Sequence, residues 1–511
     1  MSQSAENLLI LFAPKFLGFG IDLAARWHTE QNGRTIGLCV GGGTVLGPVK
    51  ERLGNRLAAA FDIDEMEETW MNSAVAEAEY ESFEARYGAE AFGRIVAADR
   101  RIGAGFVRGG YTRPSRVKDA ARADVDLPAR YVIGLCRFLE DVFEKHPPRT
   151  VFCYAVAGAL AVALAEVCRL RNVRFTRLVH TRIGSNYLVD TDPRGMMQPA
   201  AQLFQSALRD PSVVSETREE ARRVLADFRA TLSQPSYVAS PNHDLRVWAS
   251  VARVLSLGRD VAASFKRKVV RSGPSHPDAL RRSAFAFRAA VRRIRAQKQM
   301  GYLSSTCEGP FILYTLHVDP EASTMVTSPH QTDQLSVIEA LAKWAPIGYT
   351  VLVKEHAPML GFRPPDFYGT IARMPRVKLA PLETPTVKLV AEAALVVTIT
   401  GTVSWEAMRL GRPSIVVGDV PWGVIERGQL REGSLENFAT TIRCALSMTP
   451  PSDETIELFI ACLLKYSFPM PNSLLWGHYE NHDQSVIDRS VEHVMSSIKR
   501  LSAADEIHGF S

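Results

Sequence analysis

The sequence predicts an α/β protein whose second half is a doubly wound parallel sheet. Three observations predict it. Between residues 311 and 418 five short apolar runs alternate with four helix-like segments, and parallel neighbours require such crossovers. The first half repeats the alternation more loosely. At 511 residues, with 46% apolar and 23% charged residues, the chain is ordinary globular material with room for two or three domains.

Taken in order, "LLILFA" reads as a strand, residues 21–29 as a helix, and "TIGLCV", ending in Gly41-Gly42-Gly43, as a second strand. A long, mainly helical stretch follows. "TVFCYAV" and "VRFTRLV" are then strands around a helix over 157–170, and helical sequence dominates residues 216–258. In the second half "PFILYTL", "YTVLVK", "RVKLA", "LVVTIT" and "SIVVG" are strands. Helices are predicted between them over 332–344, 365–373, 385–393 and 403–410. No internal repeat is visible.

Several classes are excluded. The longest apolar run, residues 151–165, has 15 residues, against the roughly 20 that cross a bilayer. The N-terminus "MSQSAENLLILFAPK" lacks the basic lead of a secretory signal, so a cytoplasmic protein is expected. Seven cysteines, none in metal-site spacing, read as small core residues. Twelve histidines without HExxH or a tight cluster give no expectation of a metal. Net charge is +5, unevenly spread: residues 62–90 hold ten acids against Arg86, and residues 266–298 hold eleven bases against Asp278.

Ligands of doubly wound sheets bind outside the carboxyl ends of the strands. There the second half places "HVDPEAS" with His317, Asp319 and Glu321, and "KEHAPMLGFRP" with Lys354, Glu355, His356 and Arg363. The fourth strand is followed by "TGTVSWEA". Thr400-Gly401-Thr402 opens a helix, where free amides and the dipole attract phosphate. Gly401 would let a ligand approach the backbone closely. Glu406, one turn deeper on the same face, could accept from ribose hydroxyls. Taken singly, a threonine before a helix is more often an N-cap and Trp405 more often core; three polar loops on one rim favour a nucleotide seat.

At these residues the chain resembles the bacterial capsule and surface-polysaccharide glycosyltransferases that include Kdo transferases. "HVDPEAS", "TDQLSVIEALAKWAPIGYTVLVKEH" and "TITGTVSWEAMRLGRPSIVVGD" look like family blocks in the right order, while "FEARYG", "AADRRI" and "HTRIGSNYLVD" carry a looser likeness. The resemblance implies a GT-B fold, two Rossmann-like domains facing a cleft, with the donor on the second. It implies donor-binding roles for Lys354, Glu321, Thr400, Gly401, Thr402 and Glu406, and a catalytic role for His356 against the donor phosphate. The family's KEHP block departs here to Lys-Glu-His-Ala-Pro, with Pro358 displaced by Ala357. Asp99, in "AADRRIG", is the implied general base, beside Arg100 as an ion-pair explanation, and His180 and Arg182 are the candidate acceptor ligands. The implied donor is a nucleotide-sugar, a CMP-sugar such as Kdo favoured over a UDP-sugar, with no cofactor and no metal. The implied acceptor is a glycan or a lipid-linked glycan. A GT-B-like epimerase and a non-catalytic scaffold are the alternatives.

The expected organisation is an acceptor domain over 1–265, a basic linker and helix over 266–305, a nucleotide-sugar domain over 306–470 and a returning tail over 471–511. In the basic stretch Leu280, Ala284, Phe287, Val291 and Ile294 form one apolar stripe. An interdomain helix packed through that stripe is one expectation. Contact with anionic lipid at the inner face of the cytoplasmic membrane is the other. Nucleic acid is not expected, because no stacking or groove-reading motif accompanies the charge.

Overall fold

Two sheets carry the chain. The computed structural model describes residues 6–232, 279–425, 428–476 and 479–508. The first sheet comprises β1 (Leu8–Phe12), β2 (Thr35–Cys39), β3 (Leu57–Asp62), β4 (Thr150–Cys153), β5 (Arg174–His180) and β6 (Asn186–Asp190). The second comprises β7 (Phe311–Thr315), β8 (Thr350–Lys354), β9 (Val377–Leu379), β10 (Leu395–Thr398), β11 (Ser414–Val416) and β12 (Gln429–Arg431). The late strand β13 (Phe468–Pro469) returns to the first sheet.

The second sheet is wholly parallel with order β12-β11-β10-β7-β8-β9. This is a Rossmann-like order, and it reverses between β7 and β10, where such sheets open a crevice. In the first sheet β3-β2-β1-β4-β5 repeats the same parallel order, and β6 and β13 close it antiparallel. The chain is thus two Rossmann-like units in a GT-B-like arrangement.

Side-chain alternation builds the layers. Ile312, Tyr314, Val351, Val353 and Val397 face a core shared with helices Gln334–Trp344 and Phe438–Leu446. Leu313, Leu352 and Val396 face the opposite side, under helices Thr386–Glu392 and Val403–Arg409. The helix at Gln334 starts there because the Asp333 carboxylate accepts from Leu335 N at 3.0 Å, an N-cap.

The two units meet through loops of their rims. Gly109 N donates to Asp319 Oδ2 at 2.7 Å, Tyr111 N to Phe362 O at 2.7 Å, and Arg194 Nη1 to Asp419 Oδ2 at 2.8 Å. The return to the first unit begins before residue 471. Helix Asp453–Tyr466 already packs on helices Gln198–Ala207 and Ser215–Thr231, joining Phe459 and Ile460 to Phe204 and Leu225.

The basic stretch differs most from expectation. Lys266 to Asp278 lie outside the described residues. Beyond them the helix Ala279–Leu303 is buried through Ala289, Ala290, Arg293, Ala296 and Met300. The apolar stripe that sequence periodicity turns inward lies outward instead: Ala284 and Phe287 are exposed, and Val291 and Ile294 half-buried. Small side chains explain the reversal, since they let backbone meet backbone. A Cβ on Gly361 would fall 2.4 Å from Ala289 O. Arg293, inside this seam, donates to Ala357 O at 3.3 Å.

Five of the seven free cysteines are buried, Cys307 is half-buried and Cys444 exposed. Among the described residues no helix is long and apolar enough to cross a membrane.

Candidate functional site

The site forms where strand order reverses. β7 ends at Thr315 and β10 at Thr398, and the following turns are tied by His317. Ile399 N donates to His317 Nε2 at 3.0 Å, and Thr398 Oγ1 lies 2.9 Å from the same nitrogen. An Nε2 that accepts an amide proton belongs to a neutral imidazole carrying its hydrogen on Nδ1. Burial, then the neighbouring His356 and Arg363, push its pKa down to about 3, so it stays neutral in ordinary buffers. His317 N in turn donates to Gln334 Oε1 at 2.7 Å. The bridge is a structural histidine that sets the spacing of the two turns.

The turn after β8 lies beside it. The Glu355 carboxylate is buried and held by Arg363, with Nε at 2.9 Å and Nη2 at 2.7 Å, and by Tyr368 Oη at 2.7 Å. Arg363 Nη2 also donates to His317 O at 2.8 Å, and Nη1 to Gly109 O at 3.2 Å. One guanidinium therefore connects the turns after β7 and β8 with a loop of the first unit. His356 is exposed at this rim, its amide donating to Glu355 Oε1 at 2.6 Å.

The sequence-predicted donor residues divide by exposure. Glu321 is exposed and its Oε2 accepts from Ser323 Oγ at 2.9 Å. Thr400 is half-buried and its hydroxyl donates to Ser323 O, which pins the turn after β10 to the turn after β7. Thr402 precedes helix Val403–Arg409 without a side-chain cap bond. Glu406 is 8% exposed; burial raises its carboxyl to about 7 against the opposing charge of Arg409. Lys354 is buried, and Nζ donates to Pro381 O at 2.7 Å and Leu382 O at 2.8 Å. Burial lowers its pKa to about 8, with Glu383 and Glu355 opposing. Its ammonium holds the loop after β9, which is a different position from the direct phosphate contact expected of it.

Gly401 also serves the fold. A Cβ there would lie 2.5 Å from Thr398 Oγ1, the hydroxyl that accepts from Gly401 N at 3.1 Å.

Asp99, His180 and Arg182 sit on the rim of the first sheet, apart from this cluster. Asp99 is 3% exposed. Its Oδ1 accepts from Arg101 N and Nε at 2.7 and 3.2 Å, and its Oδ2 from Arg101 Nη2 and Ala159 N at 3.0 and 3.3 Å. Burial alone would raise this carboxyl, but Arg101 holds it below the usual range. Four internal donors make it an ion-pair anchor, with Arg101 rather than Arg100 as the partner. His180 is 8% exposed and accepts from Arg182 N at 2.9 Å; burial, then Arg182, lower it to about 4. Arg182 takes a left-handed backbone, φ 67°.

Between the units runs a groove of about 670 Å³, which sequence reading missed. Helix Ala89–Ala98 and Phe106 and Arg108 form one wall, and Pro329 to Asp333 the other. Phe106 is 56% exposed, and Arg108 and His330 are also exposed. These are single loop residues with no motif, so only their meeting across the groove singles them out. Among the described residues no three His, Cys, Asp or Glu side chains cluster as a metal site.

No protein-family description matches the chain, and no curated protein does. Among solved structures it is similar to a beta Kdo 2,7 transferase, KpsC of Thermosulfurimonas dismutans. The identity is 14%, over 66% of this chain and 83% of that one, with a TM-score of 0.30. It is similar to the UDP-GlcNAc 2-epimerase of Methanocaldococcus jannaschii at 11% identity, over 91% and 100%, with a TM-score of 0.26. The calicheamicin glycosyltransferase CalG4 gives 12%, over 98% and 99%, with a TM-score of 0.27.

Proposed function

We propose that the chain is a nucleotide-sugar-dependent glycosyltransferase of surface-polysaccharide synthesis. The donor, a CMP-activated acidic sugar in preference to a UDP-sugar, lies over the turns after β7, β8 and β10. The acceptor, a glycan or lipid-linked glycan, enters along the interdomain groove. The observation that carries this reading is the convergence of three turns, separated by up to 82 positions, on the crevice where the second sheet reverses its strand order.

His356 and Glu321 are the exposed groups of these turns, Thr400 and Thr402 are half-buried, and Glu406 leaves 8% of its surface open. His356 is assigned to the departing phosphate and Thr402 to a hydroxyl contact with the donor, while the Thr400 hydroxyl is held by Ser323 O. In the transfer step the acceptor oxygen bonds the anomeric carbon, the anomeric carbon–phosphate oxygen bond breaks, and the nucleotide leaves with the electron pair. The acceptor proton passes to a carboxylate, a step that contributes roughly 10²–10⁴-fold. Glu321, exposed on a turn whose short helix Ala322–Met325 touches helix Ala89–Ala98, suits that task better than the saturated Asp99. Phe106 offers a sugar-stacking face in the groove, Arg108 offers charge to an acidic acceptor, and His330 offers a hydrogen-bonding ring.

Calorimetric titration with CMP and with UDP, followed by transfer assays with His356→Ala, tests the reading. Binding of CMP, and loss of transfer with the circular dichroism unchanged, is expected. Binding of neither nucleotide refutes it, and turnover of donor to an isomer without acceptor identifies an epimerase instead.

A further inference from the structure

We infer that the outward stripe of helix Ala279–Leu303 is a docking face for an anionic lipid surface. This goes beyond the transferase reading and stands independently of it. The helix is 25 residues long, about 37 Å. It carries seven cations and no carboxylate. Three cations are used internally: Arg281 pairs with Asp119 at 2.8 Å, Arg292 lies 4.1 Å over the Tyr111 ring, and Arg293 donates to Ala357 O.

Arg288, Arg295 and Lys298 are exposed and make no ion pair among the described residues. With them on the outward side stand Phe287, 51% exposed, and Tyr302, 90% exposed, with half-buried Val291 between. Steps of three and four along 284, 288, 291, 295, 298 and 302 keep them on one face. The helix therefore turns part of its apolar stripe to solvent and interleaves it with cations that no described carboxylate pairs.

That combination selects among anionic partners. A soluble polyanion would neutralise the cations but leave Phe287 and Val291 in water. A lipid surface accepts both: headgroups meet the cations, long cationic stems reach up to them, and rings enter the interface. Arg292 Nε donates to Gly361 O at 2.9 Å, so the helix packs on the turn that begins at His356. Docking would bring the rim of the candidate site beside the surface, where a lipid-linked glycan is presented.

The test is sedimentation of the full chain with vesicles of phosphatidylcholine, with or without phosphatidylglycerol. Binding only to the anionic vesicles is expected, with loss in high salt. Arg288→Gln/Arg295→Gln/Lys298→Gln should weaken it about 100-fold, and Phe287→Ser/Tyr302→Ser roughly tenfold. All five positions are exposed, and an unchanged circular dichroism spectrum checks each fold. Absence of vesicle binding overturns the inference. So does equal binding to neutral vesicles, or binding that neither variant alters. Heparin binding without vesicle binding would assign the face to a soluble polyanion.

Discussion

Glu406→Gln should make the protein more stable and a poorer donor binder at once. The carboxyl lies 8% exposed in the first turn of the helix after β10, and burial lifts it from near 4.5 to about 7. A folded-state pKa above the unfolded value contributes stability that is full below about 4.5 and is lost as pH rises through 7. Above that, the native protein carries an ionised carboxylate it has buried, a cost of about 3 kcal/mol from that interval. An amide does not titrate, so the gap in denaturation free energy between variant and parent should widen by that amount from pH 4.5 to 8. A constant offset from burying the amide leaves the slope untouched. Chemical denaturation at several pH values reads it. Donor affinity should move the other way, by about 10–100-fold, if the carboxylate accepts from ribose hydroxyls. A gap that does not grow with pH would refute the burial argument, and unchanged donor affinity would remove Glu406 from the seat.

Gly109→Ala places a Cβ 2.5 Å from Asp319 Oδ2; the interdomain junction should loosen, seen as a larger radius of gyration in solution scattering with secondary structure kept. Lys354→Met removes two hydrogen bonds to carbonyls of the loop after β9 and should cost about 1–3 kcal/mol of stability, measured by denaturation. Its donor affinity should fall less than that of His356→Ala, since the ammonium is committed to those two carbonyls. Arg363→Met strands the buried Glu355 and should cost about 3–5 kcal/mol, and the double variant with Glu355→Gln should recover much of it.

The second sheet was legible because its strands are unbroken apolar runs and the polar residues follow them at once, as in "TITGT" and "VKEH". The sheet reversal that gathers those turns is a topological fact that the order of elements alone does not give, since doubly wound sheets occur in more than one strand order. Other strands carried weaker signals. β3, "LAAAFD", has a helix former's alanines, and β12 has three residues. The internal contacts of Lys354, Gly401 and Asp99 were not legible, for one reason. Sequence names a side chain's chemistry but not what it touches, and each of these touches its own fold. Helix Ala279–Leu303 failed differently: periodicity located the apolar stripe, but close backbone packing at Gly361 chose the alanine face as the inner one.

The return of residues 453–508 to the first sheet has a consequence for synthesis. Phe468, Met470, Leu474, Val491 and Val494 complete the same core as Leu8, Ile10 and Trp27. During translation the earliest strands thus wait, one wall open, while more than four hundred intervening residues are made. The later sheet lies inside a single stretch of chain and can mature first. Nascent chains halted before residue 453 should therefore be held by chaperones at their beginning rather than at their newest end.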